Sequence, residues 1–348
     1  MSGGIPGGRP PGEAQFAAVL HDMLTGAGLP GAARRWADGD LGPGLAVWKQ
    51  LAGLGVTALA VPEKWDGLGA SPLDLVAACE ELGHHAVPGP VAESLAAMPA
   101  LLAALADGES RDGWPDDTGS SGEWLAGLAA GDLIGTLAIP PWLPFAADAG
   151  AAGLVLRADD GVVFLARPGT RHRSVDPARS LSEADADRVL AHGAAGAAAR
   201  ALDWGALACS AQLLGAGRAL LEASVRHASA RRQFGRPVGA FQAVKHRLAD
   251  VAIGLEFARP LLDAAALALP SGGPTAARDV SAAKVACADA AYRAARAALQ
   301  VHGAIGYTAE HDLSLWLLKV RALVPAWGSQ AEHRARVLRE LSTGVGLR

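Results

Sequence analysis

Apolar and polar residues alternate at helical spacing over the first hundred positions. Across residues 13–107 the apolar residues recur every three or four positions, as Leu73 and Val76 do, with short interruptions at glycine-rich points. Ser71 followed by Pro72 is typical of a helix N-cap and first helical position. The pattern predicts an N-terminal helical domain over residues 13–122, whose last part is a polar, breaker-rich loop.

The pattern changes after this loop. Short apolar or β-branched runs at 134–139, 153–157 and 162–166 are separated by proline, glycine and the turn at 159–161, which is typical of strands joined by a hairpin. We expect a small middle β domain over residues 123–195. At this size it should rest on the helical parts, because so short a segment buries little core of its own.

The last part of the chain returns to helical spacing. Apolar residues step by three and four from Phe241 to Leu262, and a second long pattern covers residues 276–302. Long helices joined by short Gly/Pro turns pack as an antiparallel bundle. The predicted fold is therefore mainly α with a small β domain, ending in a four-helix bundle over residues 200–348.

Composition narrows the class of protein. The chain has 348 residues, of which 51% are hydrophobic and 19% are charged, which is typical of a globular protein. It has neither an apolar run of about 18 residues nor a basic-then-apolar start, so we expect no membrane span, no signal peptide and a cytoplasmic location. The three cysteines, Cys79, Cys209 and Cys287, are too widely spaced for a zinc motif, and we expect no metal site and three buried thiols.

Charge is distributed unevenly. The formal net charge is −4, but residues 1–199 carry −12 and residues 200–348 carry +8. The positive charges of the second half are almost all arginines interleaved with acidic residues, without a basic run that contains aromatic side chains. This arrangement favours a discrete phosphate or pyrophosphate and excludes nucleic acid as the expected partner.

Two motifs carry the candidate chemistry. The segment 231–237, RRQFGRP, places three arginines and a Gly/Pro turn between long helices, where guanidinium and backbone N–H groups can bind an anion. The segment 300–307, QVHGAIGY, ends a helix with two glycines that permit close approach to the backbone. Taken alone, the first could be an exposed basic turn and the second an ordinary helix end.

Together the two motifs resemble the acyl-CoA dehydrogenase family. RRQFGRPVGAFQAVKHRLADVA is followed some fifty residues later by QVHGAIGYTAEHDLSLWL, and the N-terminal part adds VPEKWDGLG and EELG. The resemblance covers about residues 40–110 and 200–342. It implies the same order of helical domain, small β domain and four-helix bundle, and it implies an FAD-dependent oxidoreductase that forms a double bond in an acyl-CoA thioester.

The resemblance also implies roles for individual residues. In this family FAD lies at a subunit interface, and the two C-terminal motifs serve the flavin that the neighbouring subunit mainly holds. Arg231 would then face the pyrophosphate with Gln233 and Phe234 beside it. The remaining positions carried over are Phe241 and Gln242 at the adenosine end, and Gln300, Gly303 and Ala304 on the other side of the dinucleotide.

The catalytic base of the family is missing. The reaction requires a glutamate that removes the α proton while hydride passes to the flavin. One family position for it corresponds to Trp327, in the segment PAWGSQ, and the other corresponds to Gly205, two residues after Asp203. Neither residue accepts a proton, so we assign no catalytic residue.

The middle domain departs from the family as well. The flavin-stacking segment corresponds to 136–141, TLAIPP, and we expect no later strand like the family's tryptophan-isoleucine-threonine strand. The chain therefore resembles the shorter, base-lacking subunit of heteromeric actinobacterial acyl-CoA dehydrogenases, which completes a partner's FAD site.

Two alternatives remain open. One is a self-sufficient homomeric enzyme whose base is Glu310 or Glu332, and the other is a flavin-free binding or assembly module. The expected partners are an acyl-CoA substrate, another acyl-CoA dehydrogenase subunit, and an electron-transfer flavoprotein or similar acceptor. The sequence does not indicate which acyl group is bound or which protein is the partner subunit.

Overall fold

The computed structural model describes residues 11–109, 120–270, 272–273, 275–308 and 311–344. Its N-terminal part is helical, as predicted. Ser71 caps the fourth helix by accepting a hydrogen bond from the Asp74 backbone N–H, and the Asp74 carboxylate accepts one from the Ser71 N–H in return. The helices are α1 (Pro11–Gly26), α2 (Leu29–Ala37), α3 (Gly42–Gly53), α4 (Pro72–His84), α5 (Met98–Ala104) and α6 (Ser121–Ala130).

A five-stranded sheet follows. Its strands are β1 (Gly135–Ala138), β2 (Ala146–Ala147), β3 (Leu154–Asp159), β4 (Val162–His172) and β5 (Leu181–Ala191), in the spatial order β1-β3-β4-β5-β2. The predicted hairpin is confirmed: β3 and β4 pair antiparallel, and Asp160 and Gly161 both have positive φ, as the tight turn requires.

The sequence patterns do not predict a further strand after β4, but the structure contains one. The segment LSEADADRVLA forms β5 along the whole length of β4, although it lacks the tryptophan-isoleucine-threonine motif. Its polar residues alternate weakly and resemble an exposed helix or loop in sequence. Pairing with β4 decides its conformation, because a polar strand on a half-exposed sheet needs few apolar positions.

The C-terminal part is a helix bundle. Its helices are α7 (Ala195–Ala230), α8 (Gln242–Ala268), α9 (Ala276–His302), α10 (Leu313–Leu323) and α11 (Gln330–Gly344), with a two-residue hairpin of β6 (Arg232–Gln233) and β7 (Arg236–Pro237) after α7. The predicted range 276–302 is confirmed for α9. Helix α7 begins five residues before the predicted start of the bundle at 200, and the division into domains at 123 and 200 stays a prediction.

The N-terminal helices and the bundle share one apolar core. A β-carbon added to Gly83 in α4 would approach Gln212 in α7 to less than 3.0 Å, and one on Gly215 would do the same to Glu80. Glycine at these places lets the two helices pack closely. The three cysteines are buried and free, as expected. Among the described residues, none of the helices is both apolar enough and long enough to cross a bilayer.

Candidate functional site

The arginine motif forms an exposed hairpin at the end of α7. The helix ends at Ala230, and the chain turns back between β6 and β7 through Phe234 and Gly235, which both have positive φ. Phe234 is the unusual residue, because a bulky side chain adopts this conformation at a cost. Its side chain is 89% exposed. The hairpin therefore presents an aromatic ring to the outside of the chain.

The base of this hairpin is stabilised by aromatic contacts. The ring of Phe241 lies edge-on to Phe234, with 6.2 Å between centroids, and the guanidinium of Arg236 stacks over Phe241 at 4.1 Å. Arg236 therefore makes a specific contact with an aromatic side chain at the base of the hairpin. Arg236 is exposed, as are Arg231 and Gln233 beside it, but only Arg236 is seen to stack on an aromatic ring among the described contacts of the hairpin.

The glycine motif follows α9. Gly303 has φ 65° and ψ −142°, which only glycine adopts readily, and a β-carbon built there meets nothing within 4 Å. Gly303 and Ala304 are both exposed. The turn thus leaves open backbone at the end of the helix, as the close approach of another group requires.

The structure brings the two motifs together. His227, one turn before Arg231, and His302, next to Gly303, have ring centroids 4.3 Å apart. Gln300 also lines a groove of about 1080 Å³ between α8 and α9, and this groove begins at Ala243 beside Gln242. The predicted cofactor residues therefore share one surface. Seven of them are exposed and Phe241 is half-buried: Arg231, Gln233, Phe234, Phe241, Gln242, Gln300, Gly303 and Ala304.

The two positions of the missing base lie in direct contact. Gly205 is on α7, Trp327 lies between α10 and α11, and the indole of Trp327 is 0% exposed. A β-carbon added to Gly205 would come within 3.0 Å of three atoms of that indole. The tryptophan thus occupies the space that a side chain at 205 would need. With tryptophan at position 327, this chain has no room for a side chain at position 205.

Buried polar residues hold Trp327 in place. The Nε2–H of His333 donates to the Trp327 carbonyl at 2.8 Å, so Nδ1 accepts from the Ser281 hydroxyl at 3.1 Å. Burial lowers the pKa of His333 to about 4, which keeps the imidazole neutral. Lys284 donates from the core to the Leu323 and Val324 carbonyls at the end of α10, and burial lowers its pKa too.

Trp142 covers this loop from the side of the sheet. It lies in the turn after β1, its ring meets the edge of His333 at 5.3 Å, and it leaves no room for a β-carbon on Gly328. Arg336 of α11 lies 5.8 Å from Trp142 and forms a two-pronged ion pair with Asp203 of α7. Burial raises the pKa of Asp203 and the arginine opposes that shift. The cleft between sheet and bundle is thus packed with aromatic side chains.

One candidate base of the homomeric alternative, Glu332, takes part in a helix cap. Glu332 accepts a hydrogen bond from the Ser329 backbone N–H at 2.7 Å, and the Ser329 hydroxyl accepts one from the Glu332 N–H at 3.3 Å. This is a capping box at the start of α11, and hydrogen bonds from Ser329 lower the pKa of Glu332. Glu310 lies outside the described residues.

Sequence reasoning missed three residues of this region: Trp142, Lys284 and His333. Trp142 directly follows the segment 136–141, so an aromatic residue after Pro-Pro was the available signal. Lys284 and His333 stand among alanines and charged residues on α9 and α11, and nothing in their spacing indicates burial. Their role depends on contacts between helices that are distant in sequence.

An FAD molecule fits one part of this chain and not the other. The exposed arginine hairpin and the open backbone at Gly303 suit a pyrophosphate, because guanidinium groups and free N–H groups bind phosphate oxygens well. The other part is the cleft, where β1 is buried along its length and Trp142 covers Gly328. No exposed face for a flavin ring is present on β1.

Comparison with known proteins identifies the family. The profile "Acyl-CoA dehydrogenase, N-terminal domain" matches residues 11–114, and "Acyl-CoA dehydrogenase, C-terminal domain" matches residues 192–342. The acyl-CoA dehydrogenase IpdE2 of Mycobacterium tuberculosis is 30% identical over 97% of this chain and 98% of its own length. The acyl-CoA dehydrogenase FadE34 of the same organism is 32% identical over 86% of this chain, but over only 42% of its own length.

Solved structures agree on the fold. The ChsE4-ChsE5 complex of M. tuberculosis has a chain that matches with a TM-score of 0.77 and 22% identity, covering 96% of this chain and 98% of that one. A glutaryl-CoA dehydrogenase of Mycobacterium smegmatis in complex with FADH2 matches with a TM-score of 0.78 and 17% identity, covering 98% and 97%. The expected order of helical domain, sheet and bundle is confirmed, and the chain belongs to the acyl-CoA dehydrogenase family of FAD-using oxidoreductases.

Proposed function

We propose that this chain is the companion subunit of a heteromeric acyl-CoA dehydrogenase, which completes a partner's FAD site and provides no base of its own. One observation carries the proposal: Trp327 fills the space beside Gly205, so neither family base position holds a carboxylate. A proton on the α carbon of an acyl-CoA must then be removed by another polypeptide.

The surface of the chain supports an association of this kind. The groove between α8 and α9 is bordered by exposed apolar side chains, with Phe257 74% exposed and Ile253 and Leu261 beside it. Apolar side chains exposed side by side on a long helix are typical of a subunit interface. Gln300 lies at the same groove, so an approaching subunit would also reach the glycine motif.

Two relatives support the same proposal. The ChsE4-ChsE5 structure is a complex of two differently named chains. FadE34 matches this chain over 42% of its own length, so more than half of that protein lies outside the match. Both are compatible with a chain of this size that works beside a second polypeptide.

The contribution of this chain to the partner's site follows from its charges. Arg231 would bind the FAD pyrophosphate through charge-assisted hydrogen bonds, and Gln233 and Phe234 would border the same region. FAD supplies the hydride acceptor when bound, and this chain holds and orients the dinucleotide without moving a proton.

The experiment compares flavin content. The chain is purified alone and after co-expression with acyl-CoA dehydrogenases of its own genome that carry glutamate at either base position. We expect a colourless chain alone and a yellow complex that reduces an artificial acceptor when acyl-CoA is added. A chain that binds one FAD and turns over acyl-CoA alone contradicts the proposal and favours the homomeric enzyme.

A pair of variants tests the role of Arg231. In the complex, Arg231→Ala should lower FAD affinity roughly ten- to a hundredfold, because it removes a charge-assisted hydrogen bond worth about 1.5–3 kcal/mol. Arg226→Ala is the matched control, since Arg226 lies little more than one turn earlier on α7 and its side chain is 72% exposed. Equal flavin retention in both variants removes Arg231 from the site.

A further inference from the structure

A cavity beside the two motifs is lined by an unusual number of histidines. It has a volume of about 570 Å³ and lies where α1, the end of α4, α7 and the turn after α9 meet. Six of the ten histidines of the chain line it: His21, His84, His85, His227, His302 and His311. The companion function uses none of the first three, which come from α1 and the end of α4.

These three imidazoles form a compact triangle. The ring centroids of His21, His84 and His85 are 5.2, 4.6 and 5.0 Å apart, and one ring nitrogen of each lies within 4.8 Å of the others. The shortest pair, His85 Nε2 and His21 Nδ1, is separated by 3.1 Å and forms a hydrogen bond, so a metal ion would replace the proton between these two nitrogens. Tetrahedral bonds of 2.0–2.1 Å place two nitrogen ligands about 3.3–3.4 Å apart, so this pair is already close to the required spacing.

The third histidine has an unused ligand atom. His84 is 8% exposed, and its Nδ1 has no hydrogen-bond partner, while its Nε2 lies 3.5 Å from a carboxylate oxygen of Glu222. A buried nitrogen without a partner is costly and calls for an explanation. Burial, the largest cause, lowers the pKa of His84 to about 3 and that of His85 to about 4.

The charges around the triangle are mixed. The Glu81 carboxylate is buried and contacts His21 Nδ1 at 2.9 Å, and Glu222 borders the cavity. Arg218 is close enough to lower the pKa of both His84 and His85, but its guanidinium is paired with Glu80 and Glu81. Glu80 is shared with Arg259, and Arg226, which also lines the cavity, lies 3.8 Å from Glu222. Each arginine near a divalent cation at this place therefore has a carboxylate partner.

We propose that His21, His84 and His85 bind a divalent transition-metal ion of the zinc and cobalt class, with the fourth coordination position directed to the cavity. Imidazole ligands suit these ions, and three protein ligands leave one position for water or an anionic group. The ion joins α1 to the end of α4, two elements that are distant in sequence. It is separate from the cofactor residues on the hairpin.

Cobalt titration of the untagged chain tests the site. Co²⁺ bound by three histidines in four-coordinate geometry gives visible absorption bands, so we expect these bands to saturate at one ion per chain, and Zn²⁺ to abolish them. His21→Gln and His85→Gln should each lower the Co²⁺ affinity by at least about tenfold, since even loss of an outer-shell partner costs ten- to a hundredfold. His246→Gln is the matched control, because His246 is exposed on α8.

Several results would overturn the proposal. Absence of the bands in the unaltered chain is one, and bands that persist at full strength in both His21→Gln and His85→Gln are another. Equal loss in the His246 control assigns the binding to surface histidines. Circular dichroism of each variant shows whether it is folded, and half-exposed His21 offers a substitution that leaves the core intact. The readout is independent of flavin binding and of turnover.

Discussion

Adding one methyl group at Gly205 tests the close packing of Trp327 against position 205. In Gly205→Ala the new β-carbon would lie within 3.0 Å of the Trp327 indole, which is fully buried. Overpacking of a tight core typically costs about 1–3 kcal/mol, and we expect that loss in the free energy of unfolding. Helix propensity alone predicts the opposite sign, because alanine is favoured over glycine within a helix by roughly 0.5–1 kcal/mol.

Without Trp327, Gly205→Ala should raise the free energy of unfolding instead of lowering it. Burial of about 150–250 Å² of aromatic surface at ~25 cal/mol per Å² contributes roughly 4–6 kcal/mol, so Trp327→Ala alone is strongly destabilising. In that background the methyl group at 205 enters empty space and gains the helix preference. The two substitutions should therefore couple by about 2–4 kcal/mol.

Urea unfolding followed by far-UV circular dichroism measures all four proteins of this cycle. Gly254→Ala on α8 is the matched control, because a β-carbon there meets nothing within 4 Å, and it should add stability in both backgrounds. A Gly205→Ala variant that is equally destabilised with and without Trp327 would refute the reasoning. In that case the indole does not fill the space beside residue 205.

Three further results are expected. Trp327→Glu in the complex should add no turnover, because a carboxylate placed in this packed cleft faces no flavin platform; doubled activity per complex in the acceptor assay contradicts this. Stability of the unaltered chain should decrease as the pH falls from about 6.5 to about 4, since the unfolded chain binds a proton that buried His333 refuses. This histidine contributes roughly 3 kcal/mol, and His333→Gln should remove that share from the pH profile of urea unfolding while the share of His84 and His85 remains. Glu332→Gln should leave turnover of the complex nearly unchanged and change stability little, because the glutamine oxygen can also accept the hydrogen bond that closes the capping box of α11; loss of activity in a folded variant would favour the homomeric enzyme.

The helices could be predicted from sequence because their signals are local. Apolar spacing and Gly/Pro breaks lie within each segment, so α9 agrees with its predicted range to the residue. Strand β5 could not be predicted in the same way, since its conformation depends on hydrogen bonds to β4. A polar segment has no local feature that distinguishes a half-exposed strand from a loop.

Some features of the candidate site are visible in the sequence, and others arise only when distant segments pack together. The resemblance to the family supplied the proposed cofactor residues and the two base positions, 205 and 327, at which this chain has no carboxylate. It could not predict that Gly205 and Trp327 touch, because these residues are more than 120 positions apart and meet only through the packing of α7 against the loop before α11. The histidine triangle was missed for the same reason, since His21 is brought to His84 and His85 by the packing of α1 on α4.

The geometry of α7 explains how one chain can lose a base and still serve a neighbour's flavin. Gly205 and the hairpin after Ala230 lie on the same continuous helix, and 25 residues at 1.5 Å per residue separate them by roughly 38 Å. A tryptophan packed at the first point therefore leaves the charges and the backbone of the second unchanged. If the hairpin serves a neighbour's flavin, as proposed, the packing of Trp327 against Gly205 places no constraint on it.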